Sequence, residues 1–227
     1  MKKAIVFVDA NNWYHNVKNY RKPGEVDIRK IAELLCKVKN FELTEIRWYA
    51  SVPDISDGEI MYYKHISFLN DLEKNGIKVI RRKLQSLSTK EILKKKTDIL
   101  DNLDLCKSCR ALVESEFLNL ADIHKKEKGV DVWCAVDMIK CCLLDGKCDA
   151  CILISGDADF VPSLDILKNR EKDVLVASVP SGFSKELRDK FEYFIIKRVT
   201  LNNCLKEWKD VKKRTDSLNK FNVEKVV

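Results

Sequence analysis

Short apolar runs that end in polar loops constrain this chain more than any other feature. KAIVFVD (3–9) is continuous and rich in β-branched residues, with no polar alternation. It reads as a strand buried on both faces, the kind found inside parallel sheets. Residues 150–155 and DVLVASV (173–179) read as further strands, with others over 45–51, 77–84 and 193–197. Between them run helical patterns. Residues 27–38 carry Ile28, Ile31, Leu34, Leu35 and Val38 at helical spacing behind Asp27, an expected N-cap. Residues 59–76 form an amphipathic helix stopping at Gly76, and others are expected near 129–145, 160–170 and 184–190. Alternation at this spacing implies right-handed crossovers and an α/β fold: a mostly parallel sheet with helices on both faces.

The rhythm breaks over residues 85–127, which hold Lys94, Lys95, Lys96 and a CKSC at 106–109 but no clean strand. This segment is expected to be a partly helical insertion. Residues 198–227 read as a lysine-rich helical tail. A length of 227 residues suits that arrangement, and the net charge of +7 favours an anionic partner. Nine cysteines without a regular framework, several in apolar patterns, read as reduced thiols. The apolar run after Lys2 and Lys3 is too short for a signal peptide or a membrane span. A soluble, cytoplasmic protein is the expectation.

Acids fall where such folds bind ligands, beyond the carboxyl ends of strands near the reversal of strand order. Asp9 ends the first strand. Asp157 and Asp159 follow the fourth in ILISGDADFVP (152–162). If the fourth strand lies beside the first, these acids converge, and Asn12 can point the same way. Asp131 opens a helix, where an acid suits the macrodipole; Val132, Ala135, Val136 and Ile139 would form its buried stripe. Asp137 stands roughly 240° around that helix from Asp131 and ranks lower. Two unit charges ~5 Å apart at an effective dielectric of ~20 repel by roughly 3 kcal/mol, so such a cluster calls for a cation. Oxygen-only donors favour Mg²⁺ or Mn²⁺ over zinc, and such an ion on a basic protein points to phosphate-ester chemistry.

FVDANN, EKGVDVWCAVDMI, ILISGDADFVPSLDILKNREKDVLVAS and PSGFSKELRDKFEYFI together resemble the NYN domain, near its LabA-like branch. The resemblance covers about 3–84 and 128–197. It implies a Rossmann-like fold related to the PIN nucleases, with residues 1–197 as the domain, and metal-dependent cleavage of RNA, single-stranded or structured. It also implies that Asp9, Asp131, Asp157 and Asp159 hold the metal, that Asn12 is the polar partner after the first strand, and that Ser155 and Lys128 lie near the phosphate. The departure is the sequence of the insertion, though related chains often carry a CxxC there.

Plainer readings stand beside these. Asp157 and Asp159 serve equally as a turn and a helix cap, and Asn12 as a local cap. Cys106 and Cys109 suggest either zinc, with His124 fifteen residues on, or free or redox-sensitive thiols. Cys148 and Cys151 are a poorer pair, because Cys151 opens a buried strand. Arg81, Arg82, Lys83 and Lys94–Lys96 either steer RNA phosphates or form a solvated face. Trp13 suits the core better than base stacking, as does its neighbour Tyr14, and His15 and His65 read as structural. Two rival functions remain: a non-catalytic RNA-binding module, and a Rossmann-like phosphatase, which would want an acid where Asn11 stands. A homodimer stays open.

Overall fold

The structure is a computed structural model that describes residues 1–55, 58–83, 97–119 and 129–207, with the side chains of 114–119 left aside. The chain divides into two compact units, Lys83–Lys128 and the remainder.

The larger unit is built on a six-stranded sheet: β1 (Lys2–Asp9), β2 (Phe41–Val52), β3 (Lys78–Lys83), β4 (Ala150–Ile154), β5 (Asp173–Ser178) and β6 (Glu192–Ile195). Its order is β3-β2-β1-β4-β5-β6. The β1–β2, β1–β4, β4–β5 and β5–β6 pairs are parallel. The chain starts in the middle, winds outward to β3, and then returns to the other side of β1. The reversal falls between β1 and β4, as the acids required.

β1 shows why its sequence has no polar alternation. Ala4, Val6 and Val8 enter one core layer, while Ile5 and Phe7 enter the other. The first layer is completed by α1 (Ala10–Val17), α2 (Ile28–Lys39) and α3 (Glu59–Lys74), through Trp13, Ile31, Leu35 and Leu69. The second is completed by α5 (Val130–Ile139), α6 (Val161–Asn169) and α7 (Lys185–Lys190), through Cys134, Met138, Leu164, Leu167 and Leu187. Each such aliphatic side chain contributes roughly 1.5–3 kcal/mol of burial, so the two layers fix the sheet from both sides.

Several boundaries follow from capping. The Asp27 carboxylate accepts from the Arg29 and Lys30 N–H groups and starts α2 where the sequence placed it. Asn40 ends α2 in the left-handed conformation, φ 55°. α1 begins immediately after β1, in a stretch to which the sequence pattern gave no helix. At the far end a short α8 (Arg198–Asn203) follows β6, and Leu205 forms a bridge to Val26. Residues 208–227, most of the expected tail, lie outside the described residues.

The expected stripe of α5 needs a correction. Val132 and Val136 are exposed, 64% and 56%, and the buried positions are Val130, Cys134 and Met138. Cysteine and methionine fill this core where β-branched residues were expected to, and the helix is turned accordingly. A five-residue π-helical turn, Lys140–Leu144, extends α5 and buries Cys141 and Cys142. The Sγ atoms of Cys142 and Cys148 lie 3.0 Å apart. Cys151 is buried at the start of β4.

The smaller unit contains α4 (Lys107–Asn119) and an Arg110–Asp101 ion pair. Cys106 and Cys109 are exposed there. The Ser108 hydroxyl and the Cys109 N–H beside its sulfur bring the Cys106 thiol down to about 7. His124 and Lys94–Lys96 lie outside the described residues. Among the described residues, no helix is long and apolar enough to cross a membrane.

Candidate metal centre

The carboxyl end of β1 is tied to the carboxyl end of β4 by a lattice of short polar contacts. Asp9 is only 3% exposed. Its Oδ1 accepts from the Asn12 backbone N–H at 3.1 Å, which caps α1. Its Oδ2 accepts from the Ser155 hydroxyl at 2.9 Å. A carboxylate has about four lone-pair sites, so each oxygen retains acceptor capacity. Burial raises the Asp9 carboxyl above its ordinary range; the two hydrogen bonds oppose that, and Asp157 adds to it.

Ser155 is 1% exposed, and its hydroxyl works in both directions. It donates to Asp9 and accepts from the Asp157 N–H at 3.1 Å. Asp157 Oδ1 then accepts from the Asp159 N–H at 2.9 Å, starting the helical turn that leads into α6. Asp157 is thus the cap, with one oxygen committed and the other not.

Asn12 holds the same loop from the other side. Its Oδ1 accepts from the Gly156 N–H at 3.0 Å. Asn16, one turn further along α1, donates from Nδ2 to the Asn12 carbonyl at 2.9 Å and to Oδ1 at 3.2 Å. The Ser181 hydroxyl donates to the Asn16 carbonyl at 3.1 Å, bringing in the loop after β5. Backbone approaches backbone closely here: a Cβ on Gly156 would stand 1.4 Å from the Gly182 carbonyl oxygen. Asn16, Gly156 and Gly182 escaped the sequence reading. Their signal was the four-residue spacing of Asn12 and Asn16, legible only once a helix is known to start at Ala10.

Asp131 arrives from the opposite layer, in the first turn of α5 behind Gly129, whose φ is 85°. Burial first, then Asp9, Asp157 and Asp159, raise its carboxyl to about 6. Asp131 is therefore near enough to the other three acids for their charge to reach it. Asp137 faces away, toward β2. It accepts from Tyr49 Oη at 2.8 Å and from Arg47 Nη1 at 3.0 Å. Arg47 is 3% exposed, so this pair is a buried clamp that fixes how α5 sits on the sheet. Burial, with Cys134 and Asp137 nearby, pushes the Tyr49 phenol up and keeps it a donor.

As a donor set, the four carboxylates suit a hard divalent cation: oxygen only, with no histidine among them. Among the described residues, no three Asp, Glu, His or Cys side chains are close enough together to hold an ion as they stand. Lys128 lies outside the described residues. Of the basic and aromatic candidates, Arg81 bonds Glu73 and Asn70, and Arg82 stacks on Trp133 at 4.3 Å. Trp13 is buried in the core, and Tyr14 is 55% exposed. His65 bonds the Ser51 carbonyl, and burial keeps its pKa low.

A sequence model of the NYN domain matches residues 3–202. Comparison with curated proteins returns no match. Among solved structures, the chain is similar to a protein of unknown function from Vibrio parahaemolyticus, with a TM-score of 0.50 and 18% identity. That likeness covers 86% of this chain and 91% of the other, and at such identity it speaks for the fold.

Proposed function

This chain belongs to the NYN domain family, and on that premise we propose that it is a ribonuclease that hydrolyses RNA phosphodiester bonds with a divalent ion. NYN domains are PIN-like and typically nucleases. The observation that supports the reading is the hydrogen-bonded link from Asp9 through Ser155 to Asp157 across the carboxyl ends of β1 and β4, with Asp159 in the turn that Asp157 caps. Asp9, Asp131, Asp157 and Asp159 would hold Mg²⁺ or Mn²⁺. When bound, such an ion ionises or orients water and offsets charge on the phosphoryl and leaving oxygens.

The chain's own residues supply the frame. Ser155 and the Asn12 N–H fix the Asp9 carboxylate, and each of its oxygens retains acceptor capacity. Asn12 and Asn16 clamp the loop that presents Asp157 and Asp159. In this reading Ser155 acts through Asp9, because its buried hydroxyl is already spent on protein groups. Asn12 and Lys128 would serve the phosphate side. Basic residues supply affinity and no chemistry. The open spacing of the acids favours one rival, an RNA-binding module without turnover.

A labelled RNA incubated with Mn²⁺, with and without chelator, beside a small phosphomonoester, separates these readings. Cleavage of RNA alone, abolished by chelator, is expected. Asp157→Asn keeps the oxygen that the Asp159 N–H requires, so it should fold and bind RNA while losing at least 100-fold in rate. Full activity in that variant would contradict the assignment; RNA binding without turnover in the native chain would favour the rival.

A further inference from the structure

At the opposite end of the sheet lies a cavity of about 680 Å³, formed at the amino ends of β1, β2, β5 and β6. The volume falls within the usual range for small-molecule sites, roughly 300–1,000 Å³. Its walls include Lys2, Lys39, Lys168 and Lys172 against only two acids, Asp173 and Glu192. Those acids are already engaged: Lys2 pairs with Asp173 at 2.5 Å and Lys39 with Glu192 at 2.6 Å.

Lys168 and Lys172 are held differently. Lys168 Nζ donates to the Lys190 carbonyl at 2.6 Å and lies 5.6 Å over the Phe191 ring. Lys172 Nζ donates to the Cys148 carbonyl at 3.1 Å. Among the described residues, neither has a carboxylate in its ion pairs. An ammonium carries three donors, so each keeps donors to spare while a carbonyl anchors it. Phe41, Val174 and Leu175 add an apolar surface to the same cavity.

We infer that this cavity is a second ligand site, for a small organic phosphate: Lys168 and Lys172 take the phosphate, and Val174, half-buried at its wall, packs against the carbon skeleton. The inference is independent of the nuclease reading, since the cavity includes none of Asp9, Asp131, Asp157 and Asp159. A nucleotide and a sugar phosphate present the same head group and differ in the body they offer the apolar wall.

The test is equilibrium binding by calorimetry to the full chain with EDTA present, so that no metal bridges phosphate to the acids. AMP, ribose 5-phosphate and inorganic phosphate are titrated separately. At least one ester should bind at micromolar concentration, and at least tenfold tighter than inorganic phosphate. The Lys168→Ala/Lys172→Ala variant should lose at least tenfold, Lys168→Arg/Lys172→Arg should recover most of that loss, and Asp157→Asn should bind as the native chain does. Circular dichroism checks that each variant is folded; if the double alanine variant is not, Lys168→Gln and Lys172→Gln singly carry the same expectation. No binding to either ester at millimolar concentration, unchanged binding in the lysine variants, or equal loss in Asp157→Asn would each overturn the proposal. Inorganic phosphate binding as tightly as both esters would also overturn it, because the site would then recognise no organic body.

Discussion

The two ends of one sheet are built by opposite methods. At the carboxyl end, charge is placed by short side chains locked by near neighbours: Asp9 by the Ser155 hydroxyl and the Asn12 N–H, and Asp157 by the Asp159 N–H that it caps. Glycine lets two loops touch there. At the amino end, charge is carried by lysines that reach across open space to carbonyls and to single carboxylates. Short, doubly bonded groups hold position to a fraction of an ångström, as bond-making chemistry demands. Long ammonium side chains supply attraction with little precision, which is enough for binding. The same β1 strand ends in both: Lys2 at one tip, Asp9 at the other.

The difference predicts unequal tolerance to a single methyl group. Gly156→Ala puts a Cβ into the Gly182 carbonyl, a clash that only backbone movement can relieve. The expected cost is about 3 kcal/mol or more, with loss of activity, because the displaced loop carries Asp157 and Asp159. Gly146→Ala, in the turn before β4 at the other end, meets nothing within 4 Å and suffers only from its positive φ of 59°. Its expected cost is about 1–2 kcal/mol, with activity intact. Thermal unfolding of the two variants side by side checks this. Equal destabilisation would mean that the carboxyl end is no more tightly built than the rest.

How much of this was legible beforehand divides along the same line. Strand runs and the acids that end them are local features, and continuous apolar runs such as that of β1 leave few alternatives; that β4 lies beside β1 stood only as a condition and is settled by the pairing of distant strands. The phase of α5 differs from the expected stripe of Val132, Ala135, Val136 and Ile139 because apolar residues lie on both faces of this helix, and only packing decides that Cys134 and Met138 are buried. The contact of Gly156 with Gly182 and the carbonyl anchors of Lys168 and Lys172 join residues distant in sequence. No pattern along the chain announces them, since they come into being only when β4 and β5 lie side by side.

A smaller effect sharpens the electrostatic side of the comparison. The folded Asp131 carboxyl, raised from 3.8 to about 6, binds its proton more tightly than in the unfolded chain. The stability this contributes is fully present below pH ~4 and is lost as pH rises through about 6. Above that, the ionised Asp131 destabilises the metal-free protein. Asp131→Asn should therefore raise Tm at pH 7–8 and give no such gain below pH 4. Because Asp131 is partly exposed, solvent screening reduces the gain to about 1 kcal/mol, or roughly 2–4 °C. The proposed nuclease activity should fall at the same time. A Tm difference that does not change with pH would mean that the acids do not influence one another as their positions require.

The smallest effect belongs to the amino end. Lys39 and Glu192 form an ion pair at 2.6 Å, with side-chain exposures of 28% and 55%. Pairs this open to water contribute about 0–1 kcal/mol, since solvent screens the attraction and ordering two long side chains opposes it. Lys39→Ala should change stability by less than about 1 kcal/mol, and raising the salt concentration should shrink even that difference. Nothing at the acid end should respond. Cleavage rates altered more than twofold by Lys39→Ala would show that the two ends, so differently made, are nonetheless coupled through the sheet.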